Sequence, residues 1–339
     1  MPQERGRTRC RTRRRKPGEW SAIQTRDKAI HSAPVNDQVL DTVIQPRGTV
    51  AAMTTATPTS PPLLATPSGP VSGSGVLREL RGDLSRRPIV DGTLAGGLRE
   101  WLEDGVAETV GPMCDRSCPL VIDKRALAQD RPATGYRVEL SIPLARGALI
   151  DVLFRQLVTT GRIDQPMDDG MAGLSVDERQ ADLVAFVNGL GGDERSRLAE
   201  DVSEQAQLLV RHWPTLAAGW LPRTQERITI PLSGGAVLLS GVIDLVVGAP
   251  SSGRASTGLV EVKSGRRTPE HQADARYYAL LETLRSGAAP FRVATYYTAT
   301  GAIEAEDVTE EMLIGSVQRV LTAFGQIATS LRLRLDGAA

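Results

Sequence analysis

The period of the apolar residues changes at Pro222, and this restricts the chain to a fold in which helices come first and a sheet follows. Upstream, "TLAGGLREWLEDGV" spaces Leu94, Leu98 and Leu102 four apart, with Trp101 extending the same apolar face. "PLARGALIDVLFRQLVTTG" continues with Leu149, Val152, Leu153 and Leu157, and stops at Gly161. "SVDERQADLVAFVNGLGG" and "DERSRLAEDVSEQAQLLVRHW" read as two further amphipathic helices, the second opening on acids that suit a helix N-terminus. Residues 76–214 are therefore expected to be mainly helical.

Downstream, "RITIPL", a turn at Gly234-Gly235 and "AVLLSGVIDLVVG" predict a hairpin. "GLVEVKSG" predicts a third strand. "TPEHQADARYYALLETLRSG" predicts a helix capped by Thr268, with Pro269 at its first position and Gly287 past its end. "FRVATYYTATG" predicts a fourth strand, and "TEEMLIGSVQRVLTAFGQIATSLR" a closing helix. The expected class is mixed α/β, with a mixed-sheet core over residues 215–300 and a C-terminal helix within 301–339. Residues 76–339 form one domain in this reading.

The first 75 residues stand apart from that domain. They hold 11 Lys/Arg against 5 Asp/Glu, leaving 29 against 35 for the rest, so a neutral chain divides into a +6 part and a −6 part. Eight basic residues fall in the first sixteen with no apolar stretch behind them, unlike a secretory signal. From Ala51 to Gly75 the text is mostly Thr, Pro, Ser, Ala and Gly, a composition with too little apolar surface to fold. A disordered, solvated tail is expected for residues 1–75, with contact to nucleic acid as the alternative. No run of eighteen apolar residues predicts a membrane span. Three sparse cysteines, Cys10, Cys114 and Cys118, supply too few ligands for an iron–sulfur cluster and are expected to be reduced thiols in a cytoplasmic protein. Three scattered histidines, and the lack of nucleophile-elbow and phosphate-loop motifs, leave little support for other chemistry.

Charges inside the apolar strands are what demand an explanation. Side chains alternate along a strand, so Glu261 and Lys263 share one face while Val260 and Val262 take the other. Asp244 sits among Val242, Ile243, Leu245 and Val246, on a strand apolar on both faces. Only four of the 40 basic residues are lysines (Lys16, Lys28, Lys124, Lys263), so each is informative. Burying such groups unpaired costs several kcal/mol. One reading is a structural ion pair of Lys263 with Asp244 or Glu261. The other is a divalent-metal site, in which Asp244, Glu261 and the Val262 carbonyl offer the hard oxygens that Mg²⁺ prefers, and Lys263 orients water or offsets phosphate charge.

The constellation resembles the PD-(D/E)xK nuclease superfamily, in particular its RecB-like exonuclease branch. The family's "G-x-x-D" strand is matched by Gly241-Val-Ile-Asp244, and its "(D/E)-x-K" strand by Glu261-Val262-Lys263. The resemblance covers about residues 140–300 and implies a restriction-endonuclease-like αβββαβ core. The branch's "Q-x-x-x-Y" is met imperfectly by "HQADARYYALLE": Tyr278 fits the tyrosine, Asp274 lies four before it, and Gln272 lies five before Tyr277. Where the branch has "G-x-x-x-H", this chain has Gly147 and Asp151, and Glu226 is a further candidate acid.

The resemblance implies a metal-dependent nuclease acting on DNA in repair, recombination or defence. In that reading Mg²⁺ or Mn²⁺ is held by Asp244, Glu261 and Val262, with Asp151 and Glu226 as further ligands. Lys263, Gln272 and Tyr278 complete the catalytic group, and Arg266, Arg267, Asp274 and Tyr277 meet the substrate. The expected partners are DNA and a helicase or other repair protein, without membrane or iron–sulfur cluster. The alternative is a catalytically silent nuclease-fold module that binds DNA or a helicase, which the −6 balance of residues 76–339 favours.

Overall fold

A computed structural model describes residues 73–83, 92–109, 119–129, 139–249 and 255–336. All but three residues of the expected tail, and the three cysteines, lie outside them. The described elements run α1 (Gly73–Arg81), α2 (Gly92–Thr109), β1 (Leu120–Ile122), α3 (Lys124–Gln129), α4 (Ile142–Thr160), α5 (Pro166–Ser175), α6 (Ala181–Asn188) and α7 (Gly192–His212). There follow β2 (Arg223–Leu232), β3 (Val237–Val247), β4 (Gly258–Lys263), α8 (Pro269–Ser286), β5 (Arg292–Tyr297), β6 (Ala302–Asp307) and α9 (Glu310–Asp336).

The change of period at Pro222 is realised as a six-stranded mixed sheet with helices on both faces. β3 is its axis. β2 pairs antiparallel along one edge of β3, from Arg223↔Val246 to Leu232↔Val237. The other edge is shared: β1 takes Val237–Leu239 in parallel, and β4 takes Leu245–Val247 antiparallel. β4 then pairs parallel with β5, reached through the crossover helix α8, and β5 pairs antiparallel with β6.

Two apolar cores follow from the two faces. Leu98, Leu102 and Val106 of α2 bury against β2, β3, α8 and α9, where Ile228, Leu239, Tyr277, Leu281 and Phe324 lie. Leu149, Leu153 and Leu157 of α4 bury on the opposite face with Val76 of α1, Leu198 of α7, Leu245 and Val260. The predicted helix stops hold at Gly161 (φ 77°), whose N–H donates to Leu157 O, and at Gly287 (φ 73°), whose N–H donates to Thr283 O.

Four expectations are corrected. Trp101 is 37% exposed and does not extend the apolar face of α2. β1 interrupts the stretch read as mainly helical, and β6 precedes the closing helix. The boundary drawn at residue 75 falls too late, because α1 opens at Gly73, and residues 1–72 lie outside the described residues. Among the described residues, no helix is long and apolar enough to cross a membrane.

Candidate functional site

Because β1 occupies one end of the β3 edge and β4 the other, β3 and β4 part after Leu245↔Val260. Backbone groups in such a gap need other partners. The Val262 N–H donates to Asp244 Oδ2 at 2.7 Å, so a carboxylate replaces a ladder bond. At this point the alternation of β3 slips: Ile243 lies in one core and Leu245, two residues on, in the other. Opposite Asp244 in the β2–β3 ladder stands Gln225, between the Thr224↔Leu245 and Glu226↔Ile243 pairs. Its φ of 55° is left-handed, a strain of about 1–3 kcal/mol for a residue with a side chain. The strain aims its amide at the acids: Gln225 Nε2 donates to Asp151 Oδ1 at 2.8 Å and to Asp244 Oδ1 at 3.3 Å.

A glycine explains how two neighbouring elements come so close. A Cβ on Gly241 would lie 2.7 Å from Tyr278 Cε1 and 2.8 Å from Leu281 Cδ1, so only glycine lets α8 lie flat on β3 here. On the other face, Gly147 of α4 lies beside Ser264 at the end of β4, where a Cβ would make an ordinary 3.4 Å contact with Ser264 Oγ, and Asp151 follows one turn further on.

Glu261 is 3% exposed. Its Oε1 accepts from Lys263 Nζ at 2.8 Å and from Lys124 Nζ at 2.6 Å, and Lys263 also donates to Asp274 Oδ2 at 3.1 Å. Lys124 Nζ lies 5.4 Å from the centre of the buried Tyr278 ring. Glu261, Lys263 and Lys124 line, with Asp151, Asp244 and Val262, one cavity of about 1090 Å³, joined by Leu140, Pro143, Leu144, Ala148 and Leu183 from the helical side.

The electrostatics follow from burial and from this mixture of signs. Burial, then the charges of Glu261 and Asp151, push the Asp244 carboxyl well above the usual range. Burial raises Asp151 to about 6, against the opposing charge of Arg155 and with the help of Glu261. Burial alone would also raise Glu261, but Lys124 and Lys263 outweigh it and hold that carboxyl below its ordinary value. Burial and the Lys263 charge lower His271, which also lines the cavity.

Residues proposed from sequence divide clearly. Asp151, Asp244, Glu261, Val262 and Lys263 meet at the cavity. Asp274 does not line the cavity but is tied to it through Lys263, and the Tyr278 ring lies under Lys124. Gln272 is not at the site, because its amide donates to Glu306 on β6. Glu226 faces the other way and pairs with Arg285 at 3.2 Å. Tyr277 is 1% exposed, and its hydroxyl donates to the Ile122 and Ser240 carbonyls, tying β1 to β3. Arg267 pairs with Glu304 at 2.7 Å, and Arg266 is exposed and does not line the cavity.

Lys124 and Gln225 are the additions. Lys124 was traceable only through the scarcity of lysine and the motif around it, "LVI" followed by Asp123, whose Oδ1 caps α3 by accepting from the Arg125 and Ala126 N–H groups. Nothing in the text of β2 singles out Gln225.

The donor chemistry suits a hard divalent cation. Four carboxylates (Asp151, Asp244, Glu261, Asp274) face two ammoniums (Lys124, Lys263) and the Arg155 guanidinium, 3.6 Å from Asp151, an excess of one negative charge when all are ionised. Glu261 Oε2 is buried without a hydrogen-bond partner. As the side chains stand, however, no three of His, Cys, Asp and Glu among the described residues converge closely enough to hold an ion, since Glu261 turns its other oxygen to the lysines.

No protein-family profile and no curated protein matches the chain. Thirteen chains of known structure match it. One of them, the crystal structure of SSO0001, is 12% identical over 66% of this chain and 83% of that one, with a TM-score of 0.25. A likeness that loose carries no argument about fold or chemistry.

Proposed function

We propose that the protein is a metal-dependent nuclease of the PD-(D/E)xK type, RecB-like, hydrolysing DNA phosphodiester bonds. The observation that carries the reading is the meeting of Asp244, Glu261 and Lys263, from two strands that part, with Asp151 from α4 in one cavity. Asp151, Asp244, Glu261 Oε2 and the Val262 carbonyl are the groups that would hold Mg²⁺ or Mn²⁺. The ion would polarise the phosphate and lower the pKa of a water.

The chain's own residues do the rest. Gln225 and the Val262 N–H fix the two oxygens of Asp244, and Gln225 also steers Asp151. Lys263, braced by Asp274, offsets charge on the attacked phosphate. In the reaction the oxygen of water bonds to phosphorus and the bond from phosphorus to the leaving sugar oxygen breaks. One water proton passes to solvent and one is taken up by the leaving oxygen. A helicase or repair protein is the proposed partner, in DNA repair, recombination or defence.

The second reading is a nuclease-fold module that binds DNA without cutting it. It is favoured by Glu261, whose Oε1 is held by two lysines while no three acids among the described residues converge. Purified protein with linear DNA and Mg²⁺ or Mn²⁺ separates the two. Degradation that EDTA stops supports the enzyme; DNA that is retarded but intact supports the module.

A further inference from the structure

The two lysines on Glu261 are not equivalent. Lys263 is held by two carboxylates, Glu261 and Asp274, and its side chain is 14% exposed. Lys124 is held by Glu261 alone, at 2.6 Å, and its side chain is 34% exposed and lines the cavity. It also lies 5.4 Å from the centre of the Tyr278 ring, a contact that steadies a cation, and Asp244 adds a favourable charge. The neighbouring Arg125 also lines the cavity, and no ion pair among the described residues engages it. The two cations thus stand side by side at the start of α3, brought to the acids by the Leu120–Ile122 pairing with β3.

We propose that Lys124 is the residue that receives a substrate phosphate, exchanging Glu261 for the phosphate oxygen when the acids bind their ion. The inference rests on the nuclease reading and deepens it, because it assigns phosphate capture to Lys124 and leaves Lys263 braced in place. The exchange is favourable for a physical reason. A dication held by Glu261 would take over the charge compensation that Lys124 supplies, which would leave the ammonium free to meet a phosphate. Lys263 has no such freedom, since Asp274 would be left buried without its partner. A lysine suits the task better than an arginine: a compact ammonium can swing between two oxygen partners, whereas a guanidinium prefers a fixed two-pronged match.

The test is binding rather than turnover. A fluorescein-labelled single-stranded 20-mer of DNA is titrated with full-length protein in Ca²⁺ over a range of NaCl concentrations, by anisotropy, with the DNA checked to be intact. Lys124→Met is expected to weaken binding about tenfold and to lower the salt slope by roughly 0.7, the value of one phosphate contact on a single strand. Lys124→Arg, which keeps the charge, should keep the slope. If Lys124→Met does not fold, Lys124→Gln carries the test, since its amide still donates to Glu261 but has no charge to give to phosphate. Unchanged affinity and slope in a folded Lys124→Met or Lys124→Gln overturn the inference. A wild-type protein that cuts DNA while these variants bind like it refutes this assignment alone. A wild-type protein that neither binds DNA in Ca²⁺ nor cuts it in Mn²⁺ refutes the nuclease reading as well.

Discussion

Lys263 stands between two carboxylates that are themselves buried, Glu261 and Asp274, so its removal is first a problem of stability. Lys263→Met is expected to cost about 3–5 kcal/mol in EDTA, because an acid is left buried without its cation. Saturating Mn²⁺ at Glu261 should recover only part of that loss, because Asp274 stays without its partner, while DNA cleavage stays absent. Paired melts with and without Mn²⁺, beside a cleavage assay, check both halves. Asp151 makes a prediction of opposite sign. Its carboxyl is raised to about 6, so the folded state holds the proton more tightly than the unfolded chain, near 3.8. The stability this provides is full below about pH 4 and lost as pH rises through 6. Asp151→Asn should therefore match wild type in EDTA at pH 4 and exceed it by about 2 kcal/mol at pH 8. Urea melts at the two pH values measure this, and an equal difference at both would refute it.

Gly241 decides how two elements meet, because α8 can lie on β3 only where no Cβ intervenes. Gly241→Ala should cost about 1–3 kcal/mol, since the Tyr278 ring has no free volume to move into. Urea melts of the variant read that cost, and a gain in stability would show that the contact is slack. Helices α2, α4, α6, α7, α8 and α9 and the long strands were legible from period alone, and so were Gly161 and Gly287 as stops, whereas α1, α3 and α5 were not singled out. β1 was not, because three residues are too few for alternation to show against a helical surrounding. β6 was missed for another reason: "AIEAED" carries three acids in six residues, and pairing with β5 rather than intrinsic preference makes it a strand.

Taken as one body, the domain closes with α1, whose Val76 and Leu80 are 0% and 3% exposed in the second core. Its Glu79 also reaches Arg292 on β5, at 3.4 Å. A chain beginning at residue 73 is expected to keep the melting temperature of the full-length protein. One beginning at residue 84 should lose about 3–5 kcal/mol, the burial of two aliphatic side chains. Thermal melts of the two truncations test this, and equal stability would mean that α1 is dispensable. If the first 72 residues add to DNA binding, the difference should vanish at high salt, as their basic composition requires.

Asp244, Glu261 and Lys263 were legible as a group because a charge in an apolar strand is costly, and the cost appears in the text of a single strand. Asp151 was reached only through the resemblance, where Gly147 and Asp151 stand in place of the branch's G-x-x-x-H. Gln225, Lys124 and Asp274 owe their roles to distance in space alone. Lys124 meets Glu261 across 137 positions and Gln225 meets Asp151 across 74, and no local pattern records such meetings. Gln272, Glu226 and Tyr277 show the converse. Each has the right residue type close to the motif, but a strand or helix turns successive side chains to different sides. Those three side chains therefore serve the packing of α8, β2 and β6, whereas the gap between β3 and β4, which only the shared edge of β3 creates, selects the residues of the site.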